Sequence, residues 1–154
     1  MNADGSNPVR LTTGSTVDRY PVFSPNGTRI AYTVYNGATE NIYTMNADGA
    51  NQTRLTNRTD SEVAPSFSPD GTKILFESAL EIYSVNADGT NPTRLTNNDR
   101  LDSYPSYSPD GTKILFESDR TGGSQIFTMN ADGANPTRIT NTATTESRPA
   151  WAKN

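Results

Sequence analysis

Apolar residues in this chain come in short bursts, each soon closed by glycine, proline, asparagine or aspartate. The clearest burst is Lys113-Ile114-Leu115-Phe116-Glu117-Ser118. An identical run stands at Lys73-Ile74-Leu75-Phe76-Glu77-Ser78, and Arg29-Ile30-Ala31-Tyr32-Thr33 is a looser copy. A burst of this length is strand-sized, and a strand without a polar side is buried on both faces. No apolar spacing of three and four persists along the chain, and Gly or Pro interrupts too often for a helix to nucleate. The pattern is therefore all-β.

One unit resolves into four predicted strands. Pro105-Ser106-Tyr107-Ser108 is a short first strand, with proline at its start where no ladder bond is lost. Pro109-Asp110-Gly111 makes a tight turn, since Pro presets its φ and Gly accepts a positive one. Lys113 to Ser118 is the second strand and Gln125 to Met129 the third. Asn130-Ala131-Asp132-Gly133 closes the next hairpin, and Thr137-Arg138-Ile139-Thr140 is an outer, partly wet fourth strand.

The unit repeats. The Asn-Ala-Asp-Gly phrases begin at Asn2, Asn46, Asn86 and Asn130, and Pro21, Pro65, Pro105 and Pro149 keep the same spacings. A period of roughly 40 to 45 residues is the size of one four-stranded propeller blade. The shortest unit lacks residues around Ala79-Leu80-Glu81, where the next carries Asp119 to Gln125, so this is a surface loop joining two strands.

Composition removes most chemistry. The chain of 154 residues has a formal net charge of -4 and contains neither cysteine nor histidine. Disulfides, thiol nucleophiles, Ser-His-Asp catalysis and histidine metal sites are excluded. Arg10, Arg54, Arg94 and Arg138 recur once per unit without aromatic interleaving, so no nucleic-acid footprint is expected. No apolar run is long enough to span a membrane.

The phrases Tyr104-Pro-Ser-Tyr-Ser-Pro-Asp-Gly111, Ile114-Leu-Phe-Glu-Ser118, Ile126-Phe-Thr-Met-Asn-Ala-Asp-Gly133 and Arg138-Ile-Thr140 resemble the TolB-type, WD40-like propeller repeat, known as PD40. The resemblance covers essentially the whole chain. It implies antiparallel four-stranded blades in rings of six to eight and a frequent role in protein binding. It also implies a periplasmic or extracellular location. Lyases sharing the repeat are expected to need histidine ligands, which this chain lacks.

Counted in blades, residues 1–20 supply the outer strand of an incomplete blade, including Val9-Arg10-Leu11-Thr12. Residues 21–60, 61–100 and 101–145 are three blades, and 146–154 add one more inner strand. About three and a half blades do not close a ring, which needs typically 4 to 8. The chain is expected to be completed by homo-oligomerisation, as a closed dimeric ring or a head-to-tail filament. A propeller fragment of a larger protein, binding a peptide or ligand, is the alternative. Leu11, Pro149 and Trp151 are the candidate self-association residues. Trp151 occupies the place of Phe23, Phe67 and Tyr107, and either fills its own chain's last blade or is donated to a neighbour. Fully buried, its removal is expected to cost about 3–5 kcal/mol.

Three residues before each repeat proline stands an acid: Asp18, Glu62, Asp102 or Glu146. In a propeller this position enters the innermost strand near one mouth of the channel. A ring of carboxylates there binds a cation or a basic peptide, unless each acid hydrogen-bonds within its own loop. Glu77, Glu81 and Glu117 are the candidates for a hydrolytic carboxylate pair, but Glu77 and Glu117 are equivalent copies, which points to repeat ancestry rather than to an acid and a base. Asn46, Asp48 and Asn51 have oxygen-ligand spacing, but a hairpin turn explains the same letters. No catalytic residue, metal or cofactor is expected. The chain reads as a structural or protein-binding module, not an enzyme.

Overall fold

A computed structural model describes residues 4–152. Met1, Asn2 and Ala3 of the first turn phrase lie outside the described residues. The first sheet contains β1 (Val17–Phe23), β2 (Arg29–Tyr35), β3 (Glu40–Asn46) and β4 (Thr53–Arg54). The second contains β5 (Glu62–Phe67), β6 (Lys73–Ser78), β7 (Glu81–Asn86) and β8 (Thr93–Arg94). The third contains β9 (Asp102–Tyr107), β10 (Lys113–Ser118), β11 (Gln125–Asn130) and β12 (Thr137–Arg138). Each sheet is an antiparallel meander in chain order, the form of a propeller blade. No helix occurs among the described residues.

Two expected strands are absent. Val9–Thr12 and Pro149–Ala152 run alongside blades without ladder partners and are not strands. The first strands also begin earlier than the prolines. Between β9 and β10 the register jumps after Ser103–Glu117 and resumes at Ser106–Leu115, so Tyr104 and Pro105 form a bulge. Pro105 is thus inside its strand, tolerated because a bulged residue gives no ladder bond. At the four repeat prolines the preceding residue is disfavoured from the right-handed helical region. Here it turns left-handed every time: Tyr20, Ala64, Tyr104 and Arg148 have φ of 53°, 54°, 49° and 51°.

The Ser-Pro-Asp-Gly turns form as their letters suggest. Ser108 Oγ accepts the Lys113 N–H at 2.9 Å, and Asp110 Oδ1 accepts the Thr112 N–H at 3.0 Å. The Ser108 hydroxyl, donating to Asp110 Oδ1 at 2.5 Å, and then the Thr112 N–H and hydroxyl hold the Asp110 carboxyl below its ordinary pKa. The Asn-Ala-Asp-Gly turns answer to a second constraint. A Cβ on Gly133 would lie 2.5 Å from the Leu95 carbonyl of the previous blade, and one on Gly89 would lie 2.9 Å from that of Leu55. Glycine there permits both the turn's positive φ and the close approach of blades.

Blade faces make the core. Ala31 and Ile42 of the first blade, with Leu55, pack on Phe67, Ile74, Phe76 and Val85 of the second. Leu75, Ile82 and Leu95 repeat the arrangement against Ile114, Phe116, Phe127 and Met129 of the third. Each wholly buried Ile, Leu or Phe in these junctions contributes about 1.5–3 kcal/mol.

The shortened loop becomes a two-residue hairpin. Ala79 and Leu80 take φ of 49° and 69°, a geometry that favours Asn-Gly. The Ala79→Asn/Leu80→Gly variant is expected to be more stable by about 1 kcal/mol or more in urea unfolding. An unchanged midpoint would show that the turn carries no strain.

Candidate functional site

In each blade, the loop entering the first strand and the loop between the second and third strands lie at the same end, by antiparallel pairing. This end gathers most of the polar groups singled out in the sequence. The four repeated acids do not share one environment there. Asp18 is half-buried and accepts from Thr16 Oγ1 at 3.1 Å. Glu146 is half-buried and accepts from Thr142 Oγ1 at 2.9 Å. Glu62 and Asp102 are both 0% exposed, enclosed between blades. Among the described residues no group of three or more acidic side chains is placed to hold a metal ion.

The buried acids tie one blade to the previous one. Glu62 Oε2 accepts from Thr56 Oγ1 and, at 3.1 Å, from Asn41 Nδ2, both in the first blade's segment. Burial raises the Glu62 carboxyl above its ordinary pKa. Asp102 accepts from Asn98 Nδ2 at 2.7 Å and from Arg120 Nη2 at 2.9 and 2.7 Å. Arg120 also donates from Nε to Ser118 Oγ at 2.9 Å and covers the rings of Phe116 and Phe127. At the earlier junction Arg58 covers Tyr83 in the same way, from a different place in the chain. Glu81 is consumed by Arg94, Thr96 and the Asn98 N–H. Asp48 accepts the Ala50 N–H at 2.9 Å, as a turn residue does.

Glu77 and Glu117 occupy equivalent places with different fates. Glu117 Oε1 accepts from Ser124 Oγ at 2.5 Å and Oε2 from the Arg148 N–H at 3.2 Å. Burial first, then the nearby Glu117 and Glu40 charges, push the Glu77 carboxyl up to about 7. A carboxyl raised from 4.5 to about 7 on folding opposes folding once ionised. Its penalty is absent below the unfolded value, grows as pH rises through this window and is complete above it. Glu77→Gln, which mimics the neutral acid, is therefore expected to melt above the native chain at pH 8 and with it near pH 4. Equal melting temperatures at both values would show that Glu77 titrates normally.

A cleft of about 290 Å³ opens where the inner strands converge. Its walls are Tyr20, Ala64, Tyr104 and Arg148 with the prolines that follow them. The Arg148 guanidinium lies 5.3 Å from the Tyr104 ring centre, and burial together with Tyr104 raises the Tyr20 hydroxyl pKa. The prolines were singled out in the sequence, but the four residues preceding them were not proposed as a site. Their signal was position, immediately before each repeat proline.

The outermost blade faces are partly open. Leu115 and Ile126 are half-buried, whereas their counterparts Leu75 and Ile82 are 0% exposed; Ile139 is 57% exposed, whereas its counterparts Leu55 and Leu95 are half-buried. At the other side Leu11 packs on Ile30, Tyr32, Val34 and Met45, beside a groove of about 340 Å³ that also includes Phe23. Trp151 is 36% exposed, so the loss expected for a fully buried tryptophan does not apply to it. Pro149 lines the axial cleft rather than an open face.

The family model described as PD40, TolB beta propeller domain, matches residues 1–154. A crystal structure of TolB from Acinetobacter baumannii superposes with a TM-score of 0.82 at 28% identity, over 93% of this chain and 37% of that one. A putative TolB from Agrobacterium tumefaciens gives 0.66 at 22% identity, over 88% of this chain and 66% of that one. A puromycin hydrolase gives 0.77 at 11% identity, over 93% of this chain and 25% of that one, a likeness of fold alone. The chain thus spans little more than a third of the Acinetobacter TolB. No curated protein sequence matches it.

Proposed function

Because the chain belongs to the TolB beta-propeller family, we propose that it is a non-catalytic protein-binding module that self-associates through its open blade faces. One observation carries the reading. Leu115, Ile126 and Ile139 repeat the residues that close each internal junction, yet they remain partly in water. A surface already selected to receive a blade binds a second copy by the same packing, as a heterologous contact. The Leu11 segment and Phe23 form the complementary side, and residues 146–151 supply the inner strand of the blade between them.

Sedimentation equilibrium tests this. The native chain is expected to exceed the mass of one copy as concentration rises, and Ile139→Glu to remain single. A native chain that stays single throughout removes the self-association reading.

The axial cleft favours a second reading, capture of an extended peptide from another protein. Tyrosine rings, proline rings and one guanidinium suit a segment with apolar and carboxylate groups. A periplasmic or extracellular location accompanies either reading, on the family likeness. No helix among the described residues is long and apolar enough to cross a membrane. Cell fractionation with a tagged copy of the gene's full product tests the location.

A further inference from the structure

The chain has two Asn-Gly pairs, Asn26-Gly27 and Asn36-Gly37. Such a pair is chemically labile in a free peptide, because glycine has no side chain to shield its nitrogen from the amide carbon before it. Folding treats the two differently. Asn26-Gly27 is the corner of the first Ser-Pro-Asn-Gly turn, and the Gly27 N–H donates to Ser24 O at 2.8 Å. The Asp-Gly corners are tied in the same way. Gly49, Gly71, Gly89, Gly111 and Gly133 each donate to the carbonyl three residues back, at 2.8–2.9 Å. A nitrogen held so does not turn onto the neighbouring side chain until its turn bond opens.

Gly37 is the exception. It stands with Asn36 in the loop between β2 and β3, and both are exposed. The Gly37 N–H donates to no acceptor among the described residues. A Cβ on Gly37 would meet nothing within 4 Å, so water reaches this peptide. The Asn36 side chain folds back over it: Asn36 Oδ1 accepts the Ala38 N–H at 3.0 Å and the Thr39 N–H at 3.1 Å. Two N–H groups aimed at one amide oxygen stabilise negative charge that develops there.

We propose that Asn36 is a site of spontaneous modification, at which the Gly37 nitrogen drives conversion of the side-chain amide to a carboxylate. Gly37 N loses its proton to solvent base and bonds to Asn36 Cγ, and the charge passes to Oδ1 between the Ala38 and Thr39 donors. The Cγ–Nδ2 bond then breaks and ammonia leaves, closing a succinimide ring. Water opens the ring at either carbonyl, to aspartate or to isoaspartate. Nothing is oxidised or reduced: amide and water become acid and ammonia. The product adds a negative charge to a chain whose formal net charge is already -4. Its isoaspartyl form also inserts a methylene into the backbone between β2 and β3. That loop leads into Glu40, which pairs with Arg19 at 3.2 Å. The site lies inside the first blade's own hairpin, so it stands or falls independently of self-association.

The whole folded chain is incubated in mildly alkaline buffer and then digested, and mass spectrometry follows the acid and amide forms of each asparagine. Synthetic peptides of residues 23–30 and 33–40 in the same buffer give the rates that sequence alone sets. Folded Asn36 is expected to convert at least as fast as its peptide. Folded Asn26 is expected to convert at least about tenfold more slowly than its own, because its turn bonds must open first. Both aspartate and isoaspartate should appear at Asn36, as two peptides of equal mass that separate in chromatography. A folded Asn36 that lags its peptide as far as Asn26 does overturns the proposal. So does a folded chain in which both asparagines keep pace with their peptides, since the fold would then not distinguish them.

Discussion

Arg120→Ala is expected to lower the unfolding free energy by about 3–5 kcal/mol, the cost of leaving a buried carboxylate without its partner. Asp102 is 0% exposed and receives two hydrogen bonds from Arg120 Nη2. Without the guanidinium it keeps only Asn98 as a side-chain donor, and Ser118 Oγ loses the Nε–H. The aliphatic stem and the cation over Phe116 and Phe127 go too. Adding Asp102→Asn to Arg120→Ala should recover part of the loss, because the uncompensated charge is then gone. Urea unfolding of the two variants checks this. A single-variant loss below about 1 kcal/mol, the scale of an exposed pair, would show that water reaches Asp102 freely.

Leu75→Ala and Leu115→Ala form the second comparison. Both leucines sit in the sequence Lys-Ile-Leu-Phe-Glu-Ser, at the same position of the same strand. Leu75 is wholly buried in the junction with the third blade, and Leu75→Ala is expected to cost about 2–5 kcal/mol. Leu115 is half-buried on an open face and is expected to cost about half as much in dilute solution. Under the proposed self-association its cost should rise with protein concentration, since a second copy would then cover the face. Equal and concentration-independent losses would mean that the outer face of the third blade is already packed, which would undercut the self-association reading.

The pair also shows how far letters alone lead. Burst length, turn residues and period were enough to give three meanders of four strands, because each of these is local or repeats in register. The Ser-Pro-Asp-Gly turn closes through its own Ser, Asp and Thr side chains, so its geometry was legible. The bulge at Tyr104-Pro105 was not, because proline's tolerance of a strand start and of a bulge has the same signature. The acids preceding the prolines were visible as a series. Their roles differ because the neighbours differ: Asp102 meets Arg120 from an inserted loop, Glu62 meets Asn41 and Thr56, and Glu146 stays half in water.

The axial cleft arises only when inner strands separated by a full repeat come side by side, so nothing in one unit could announce it. By itself the sequence determined the blade, since hydrogen bonding along neighbouring strands and positive φ at glycine are properties of short segments. Which copy of a repeated residue is buried, charged against a partner or left at an open face was decided by the tertiary structure. Identical segments acquire different energies only from what packs against them.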